Sequence, residues 1–234
     1  MNSTAFFDPS YIVSGLVYIF PYLKVTLGLT VSSVCLGTFW ALFCAFLEIR
    51  RVPLFKELAA LYVLICRSLP NMVLLYLVYY GLPIFVMAMD QEGVFHFPVE
   101  KVTALQVAVV GLTLHTGAYL TEIFRAAYEA VPEGQKEAGL VLGMTKHQIF
   151  FKITLLQMIK RVVPPMSNEI ITLVKDTSLA RIIAAYELTF AGAAFMKSDG
   201  LTWPLFYTGV FYLIFIGILT LLFNYIERKL DYFK

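Results

Sequence analysis

The chain has 234 residues, of which 59% are hydrophobic and only 15% charged, with a mean hydropathy of +0.77. A water-soluble domain of this length carries more charge, so the excess apolar surface must face lipid. A net charge of +2 without any basic run excludes a nucleic-acid partner.

The three cysteines, Cys35, Cys44 and Cys66, all fall in apolar stretches. Their odd number and spacing fit neither a disulfide framework nor a metal site, and they read as small packing residues. No Lys or Arg precedes Lys24, so the beginning of the chain does not read as a signal peptide, and neither end carries a lipidation motif.

About 20 apolar residues in a helix cross a bilayer core. Five runs reach that length and predict an all-α integral membrane protein, a single transmembrane domain over 1–234. The helices are expected near 25–47, 58–83, 102–123, 162–194 and 200–226. The preceding stretch 11–22, aromatic and containing Pro21, is expected to lie in the membrane interface.

Basic residues alternate between the connections. Arg50, Arg51 and Lys56 follow the first helix. Arg125, Lys136, Lys146, Lys152, Lys160 and Arg161 lie between the third and fourth, and Arg228, Lys229 and Lys234 follow the fifth. These are twelve of the 18 basic residues, while 82–101 contains only Lys101. The positive-inside rule then sets the N-terminus outside and the C-terminus in the cytoplasm, with the loop before helix four cytoplasmic. No internal repeat is visible, and five helices do not divide into the two related halves of many secondary carriers.

The cytoplasmic loop 132–157 is too apolar for a linker. Gly143 falls where a first short helix would end, and a second helix is expected from Lys146 onwards, so the loop reads as a helix-turn-helix under the membrane with Glu137 exposed.

At this loop the sequence resembles the EAA-loop permeases of bacterial ATP-binding-cassette (ABC) importers. Their pattern is EAA, three residues, Gly, nine residues, I-x-L-P. Here Glu137-Ala138-Gly139 is followed at the same spacing by Gly143 and then by Ile153-Thr154-Leu155-Leu156. Gly139 stands for the third Ala and Leu156 for the Pro, departures expected to loosen the first helix and its exit. Arg67-Ser68-Leu69-Pro70 with Tyr79-Tyr80-Gly81-Leu82-Pro83 is similar to the RGTP and YYGLP strings of polar amino-acid permeases. Ala118-Tyr119, Glu122, Arg125-Ala126, Pro132, Gly134-Gln135 and Lys175-Asp176-Thr177-Ser178-Leu179 resemble the same histidine-, glutamine- and cystine-type subfamily, in the same order.

The resemblance implies a multi-pass permease subunit of the bacterial inner membrane that moves a polar amino acid by alternating access. It implies a coupling helix docked on an ATPase subunit dimer through Glu137, Ala138, Gly139 and Gly143. It also implies a second permease chain, identical or related, and an extracytoplasmic amino-acid-binding protein. No cofactor is expected on this chain, which has no Walker A segment, and no catalysis; ATP and Mg belong to the partner.

Ionisable groups inside a membrane are costly and need a partner or a task. At about 100° per residue, Asn168, Glu169, Thr172, Lys175 and Asp176 share an arc of roughly 120° on helix four, a polar face suited to a cavity or a subunit contact. An amino acid carries an ammonium beside a carboxylate. Asp176 is the candidate for the ammonium, with Lys175, Thr172, Thr177, Ser178 and Arg67 as further candidate contacts. Two readings stay open for Lys175, Asp176 and Arg67: substrate binding, or structural pairing within the bundle. His115 faces a cavity or packs in the core, and Glu122 with Arg125 reads as a structural or gating pair. An ion-coupled carrier or channel, and an intramembrane enzyme, are the competing classes. His96, His115 and His147, expected outside, within and inside the membrane, make a poor active site, and the sequence has neither a GxSG nor an HExxH motif.

Overall fold

The computed structural model describes residues 9–91, 101–200 and 202–230. The expectations for the N-terminal tail before Pro9, for residues 92–100 between the second and third expected helices, His96 among them, and for Lys234 fall outside these residues. Four helices are long and apolar enough to cross a membrane alone: Val13–Ile49, Asn71–Asp90, Ala104–Glu129 and Trp203–Leu230. A bent pair, Lys146–Ile183 and Leu188–Ser198 at 49°, makes the fifth. The described residues form an all-helical bundle with four such helices, or five candidate spans when the bent pair is counted as one.

The first helix, α1, runs from Pro9 to Ile49. At 1.5 Å per residue its 41 residues span about 60 Å, twice the hydrocarbon core. The stretch 11–22 is continuous with the expected helix 25–47 in this one element, and Pro21 sits inside the helix without ending it.

The second expected helix, 58–83, is two. α2 (Phe55–Ser68) stops at Leu69, which is extended at φ −93°, ψ 138°, the conformation that a following proline imposes. The chain restarts at α3 (Asn71–Tyr76), passes through a π-turn (Leu77–Gly81) and continues as α4 (Leu82–Gln91). Pro70 therefore breaks the pass instead of kinking it.

α5 (Ala104–Glu129) starts at a capping box. Thr103 Oγ1 accepts from Gln106 N at 3.3 Å, and Gln106 Oε1 accepts from Thr103 N at 2.8 Å. α5 and α1 approach closely because Gly37 and Gly117 face each other. A Cβ on Gly117 would lie 3.0 Å from the Tyr62 hydroxyl and 3.1 Å from Trp40 Cδ1. In lipid, where apolar burial drives nothing, such small-residue contacts hold helices together. Tyr62 of α2 donates its hydroxyl to Leu114 O of α5 at 2.7 Å. Leu29, Leu74, Val107, Ala118 and Ile183 fill the adjoining core.

Beyond α5 come α6 (Glu133–Val141) and α7 (Lys146–Ile149), the latter opened by a second capping box between Thr145 and Gln148. α7 does not end. It runs through a π-turn (Phe150–Thr154) into α8 (Leu155–Asp176), past Pro164 and Pro165. The expected helix 162–194 is accordingly corrected at both ends: it begins near Lys146 and stops at Asp176. A 3₁₀ segment (Thr177–Ile183) follows, Ala184 turns left-handed at φ 57°, and α9 (Leu188–Asp199) leaves at the bend. α10 (Trp203–Leu230) closes the bundle, with Leu213 and Leu221 more than 70% exposed on its outer face.

Candidate functional site

The polar end of α8 meets the restart of the second pass. Asn71, the first residue of α3, donates its Nδ2 to Asp176 Oδ2 at 2.8 Å. The Leu69–Pro70 break makes this possible: a continuous helix would carry Asn71 onward along α2, whereas the restart presents it to the last residue of α8. Asp176 is half-buried, and among the described residues it forms no ion pair with Lys175 or Arg67. Lys175 is exposed, and Thr172 is half-buried on the same stripe.

Behind Asp176 stands a stack of three side chains. The Arg67 guanidinium lies over the Tyr119 ring, 5.2 Å from its centroid, and Tyr119 lies 4.9 Å from the His115 ring. His115 is buried, 8% exposed, in contact with this stack. Asp176 acts electrostatically on both His115 and Glu169, and Arg67 acts on Glu169. Residues from α2, α3, α5 and α8 thus converge on one place. The site brings together an aspartate, a glutamate and a guanidinium, groups able to hold a small zwitterion by charge-assisted hydrogen bonds.

Two expected contacts lie elsewhere. Thr177 is fully buried; its hydroxyl donates to Val174 O at 2.7 Å and touches the Tyr212 hydroxyl at 3.4 Å. Ser178 donates to Lys175 O at 2.7 Å. Both hydroxyls serve the helix end, because the 3₁₀ turn after Asp176 rotates them off the α8 stripe.

The fully buried Glu187, like Asn71, was not among the residues expected from the sequence. Its carboxylate accepts from Thr189 N at 2.8 Å and Phe190 N at 2.6 Å, capping α9, and the Tyr212 hydroxyl approaches at 3.4 Å. Thr26 Oγ1 of α1 accepts from Leu188 N at 3.2 Å. An acidic residue just ahead of an apolar run was the available signal.

Toward the other end of α5, Arg125 gathers three carboxylates. It pairs with Glu122, with Glu129 at 2.7 Å and with Glu48 of α1 at 3.5 Å. The Glu122–Arg125 pair was legible in the sequence; Glu48 and Glu129 were not. These groups, with Arg51, Lys56, Arg67 and Tyr119, line a groove of about 690 Å³ between α2 and α5. Among the described residues no cluster of three or more His, Cys, Asp or Glu side chains is arranged to hold a metal.

The helix pair α6–α7 is built on its two glycines. Gly143 is left-handed at φ 77°. Met144 N donates to Gly139 O at 3.0 Å and Gly143 N to Leu140 O at 2.9 Å, the paired bonds of a Schellman ending. Gly139 is buried: a Cβ there would lie 2.9 Å from Ile149 Cγ1. It faces its own chain, packed against Ile149 and Ile153. Far from loosening α6, it lets α6 sit on α7. Glu137 and Ala138 are exposed, and beyond them Val141 is 87% and Leu142 80% exposed. A single turn so apolar on the outside is a surface shaped for a partner.

The sequence matches the family described as "Binding-protein-dependent transport system inner membrane component" over residues 33–232. It is 34% identical over 225 residues to the octopine transport system permease protein OccM of Rhizobium radiobacter, spanning 96% of this chain and 90% of that one. It is also 34% identical over 223 residues to the L-cystine transport system permease protein TcyB of Bacillus subtilis, spanning 94% and 87%. The fold superposes on a chain in a crystal structure of an amino acid ABC transporter with histidines, with TM-score 0.80, 27% identity and coverage of 95% and 98%. A chain of the MetNI methionine ABC transporter in an inward-facing conformation shares the fold at TM-score 0.72 and 21% identity.

Proposed function

This chain belongs to the family of binding-protein-dependent transport system inner membrane components, and from that membership we propose that it carries a polar amino acid, held at Asp176 during passage. It is a multi-pass inner-membrane permease subunit of an ABC importer, a transport subunit whose ATPase is a separate partner chain. The amino-acid cargo is supported by relatives named for octopine and L-cystine transport. It is also supported by one observation on this chain: Asp176 is half-exposed and free of any cationic partner among the described residues, on a polar stripe that would be costly against lipid. That favours substrate binding over structural pairing.

In this reading Asp176 takes the substrate ammonium and Arg67 its carboxylate, with Glu169, Thr172 and Lys175 beside them. The N-terminus lies outside and the α6–α7 pair in the cytoplasm. There Glu137, Ala138, Leu140, Val141 and Leu142 enter a groove on a dimer of ATPase subunits that bind ATP and Mg. Gly139 and Gly143 shape the pair. A second permease chain, alike or related, covers the α8 stripe, and an extracytoplasmic binding protein delivers the substrate. The test is transport by the complex reconstituted in vesicles with its ATPase and binding protein. Asp176→Asn should assemble normally and lose amino-acid uptake; full uptake would remove Asp176 from the site.

A further inference from the structure

Asn71 is satisfied on one side only. Its Nδ2 donates to Asp176 Oδ2 at 2.8 Å, while Oδ1 is buried and accepts no hydrogen bond from the described residues. Exchanging the amide O and N does not help, because the amide oxygen would then face the Asp176 carboxylate, acceptor against acceptor. Asp176 therefore fixes which way the amide points, and Oδ1 is left as a desolvated acceptor. A buried acceptor without a donor is costly, and the state that supplies the donor is favoured.

The backbone makes this arrangement specific. Pro70, at φ −57°, ψ 136°, ends the extended step from α2, and Asn71 opens the next helix directly opposite the end of α8. The unsatisfied oxygen thus stands beside a carboxylate, with Glu169 within electrostatic reach of that carboxylate. Two acceptors side by side are both satisfied by a group with several N–H donors and a positive charge. We propose that Asn71 is a specificity-determining residue whose Oδ1, together with Asp176, accepts hydrogen bonds from the ammonium group of the transported amino acid. The Nδ2 bond orients the carboxylate, and Oδ1 adds an uncharged acceptor. This inference rests on Asp176 being a substrate contact.

The test is a thermal-shift titration of the purified complex of this chain with its ATPase partner, using the twenty standard L-amino acids and L-cystine. A ligand that binds the folded complex raises its melting temperature. For the amino acid that stabilises the unsubstituted complex, Asn71→Leu should weaken binding about 10- to 100-fold, the loss of a hydrogen bond to a charged group. Asn71→Gln, which keeps both an amide donor for Asp176 and an acceptor oxygen, should lose less than Asn71→Leu. If Asn71→Leu fails to assemble, Asn71→Ala takes its place. Weakening by Asp176→Asn with unchanged affinity in Asn71→Leu overturns the role of Asn71 alone, as does an Asn71→Gln complex as weak as Asn71→Leu. Unchanged affinity in Asp176→Asn, or no stabilisation by any of these amino acids, overturns the site and this inference with it.

Discussion

Gly139 lies directly beneath Ile149, so close that a Cβ on the glycine would come within 2.9 Å of Ile149 Cγ1 and 3.3 Å of Ile153 Cδ1. The α6–α7 pair has no room for a larger residue there. Gly139→Val should cost about 1–3 kcal/mol of local stability by overpacking, pushing α6 away from α7. The expected outcome is a folded permease that no longer retains the ATPase on purification. Gly134→Ala is the control: open space surrounds it, and Ala in a helix gains about 0.5–1 kcal/mol over Gly. Its complex should be at least as stable.

Gly143 offers a different failure. Nothing crowds it, but its φ of 77° is a conformation that L-residues avoid. Gly143→Ala should cost about 1–2 kcal/mol, and Gly143→Asn less, since Asn tolerates the left-handed region. Melting of the complex and ATPase yield should follow that order.

The sequence showed the helix pair well and the fourth pass badly. Gly143 and the Lys146 start were legible because helix endings use particular residues. The bend at 184–187 was not, because hydropathy counts apolar side chains and Ile182, Ile183, Ala184 and Ala185 look like any membrane segment. Ala184 is left-handed without being glycine, so no residue type announced it. Likewise Pro70 lies inside an apolar run that reads as one helix over 58–83, whereas it ends α2 and sets Asn71 against Asp176.

Glu187 should matter to this bend. Glu187→Ala removes the acceptor for two backbone amides of α9 and should cost about 0.5–2 kcal/mol, measured as a lower melting temperature. Glu187→Gln retains an oxygen and should lose less.

Arg125 holds three carboxylates, of which Glu48 is 10% and Glu129 57% exposed. Arg125→Met should be strongly destabilising, somewhat below the ~3–5 kcal/mol of a fully buried pair, because water reaches part of the cluster. Glu129→Gln should cost under about 1 kcal/mol. Chemical-denaturation or melting curves of the complex would separate the two.

Most of this depends on where α6 and α7 stand. With Cys35, Cys44 and Cys66 replaced and a single cysteine placed by Leu142→Cys, a membrane-impermeant maleimide should label inside-out vesicles stripped of ATPase and leave intact cells unlabelled. Adding back the ATPase subunit should protect the thiol. Labelling in intact cells, or no protection by the ATPase, would contradict a cytoplasmic docking surface at Leu140–Leu142.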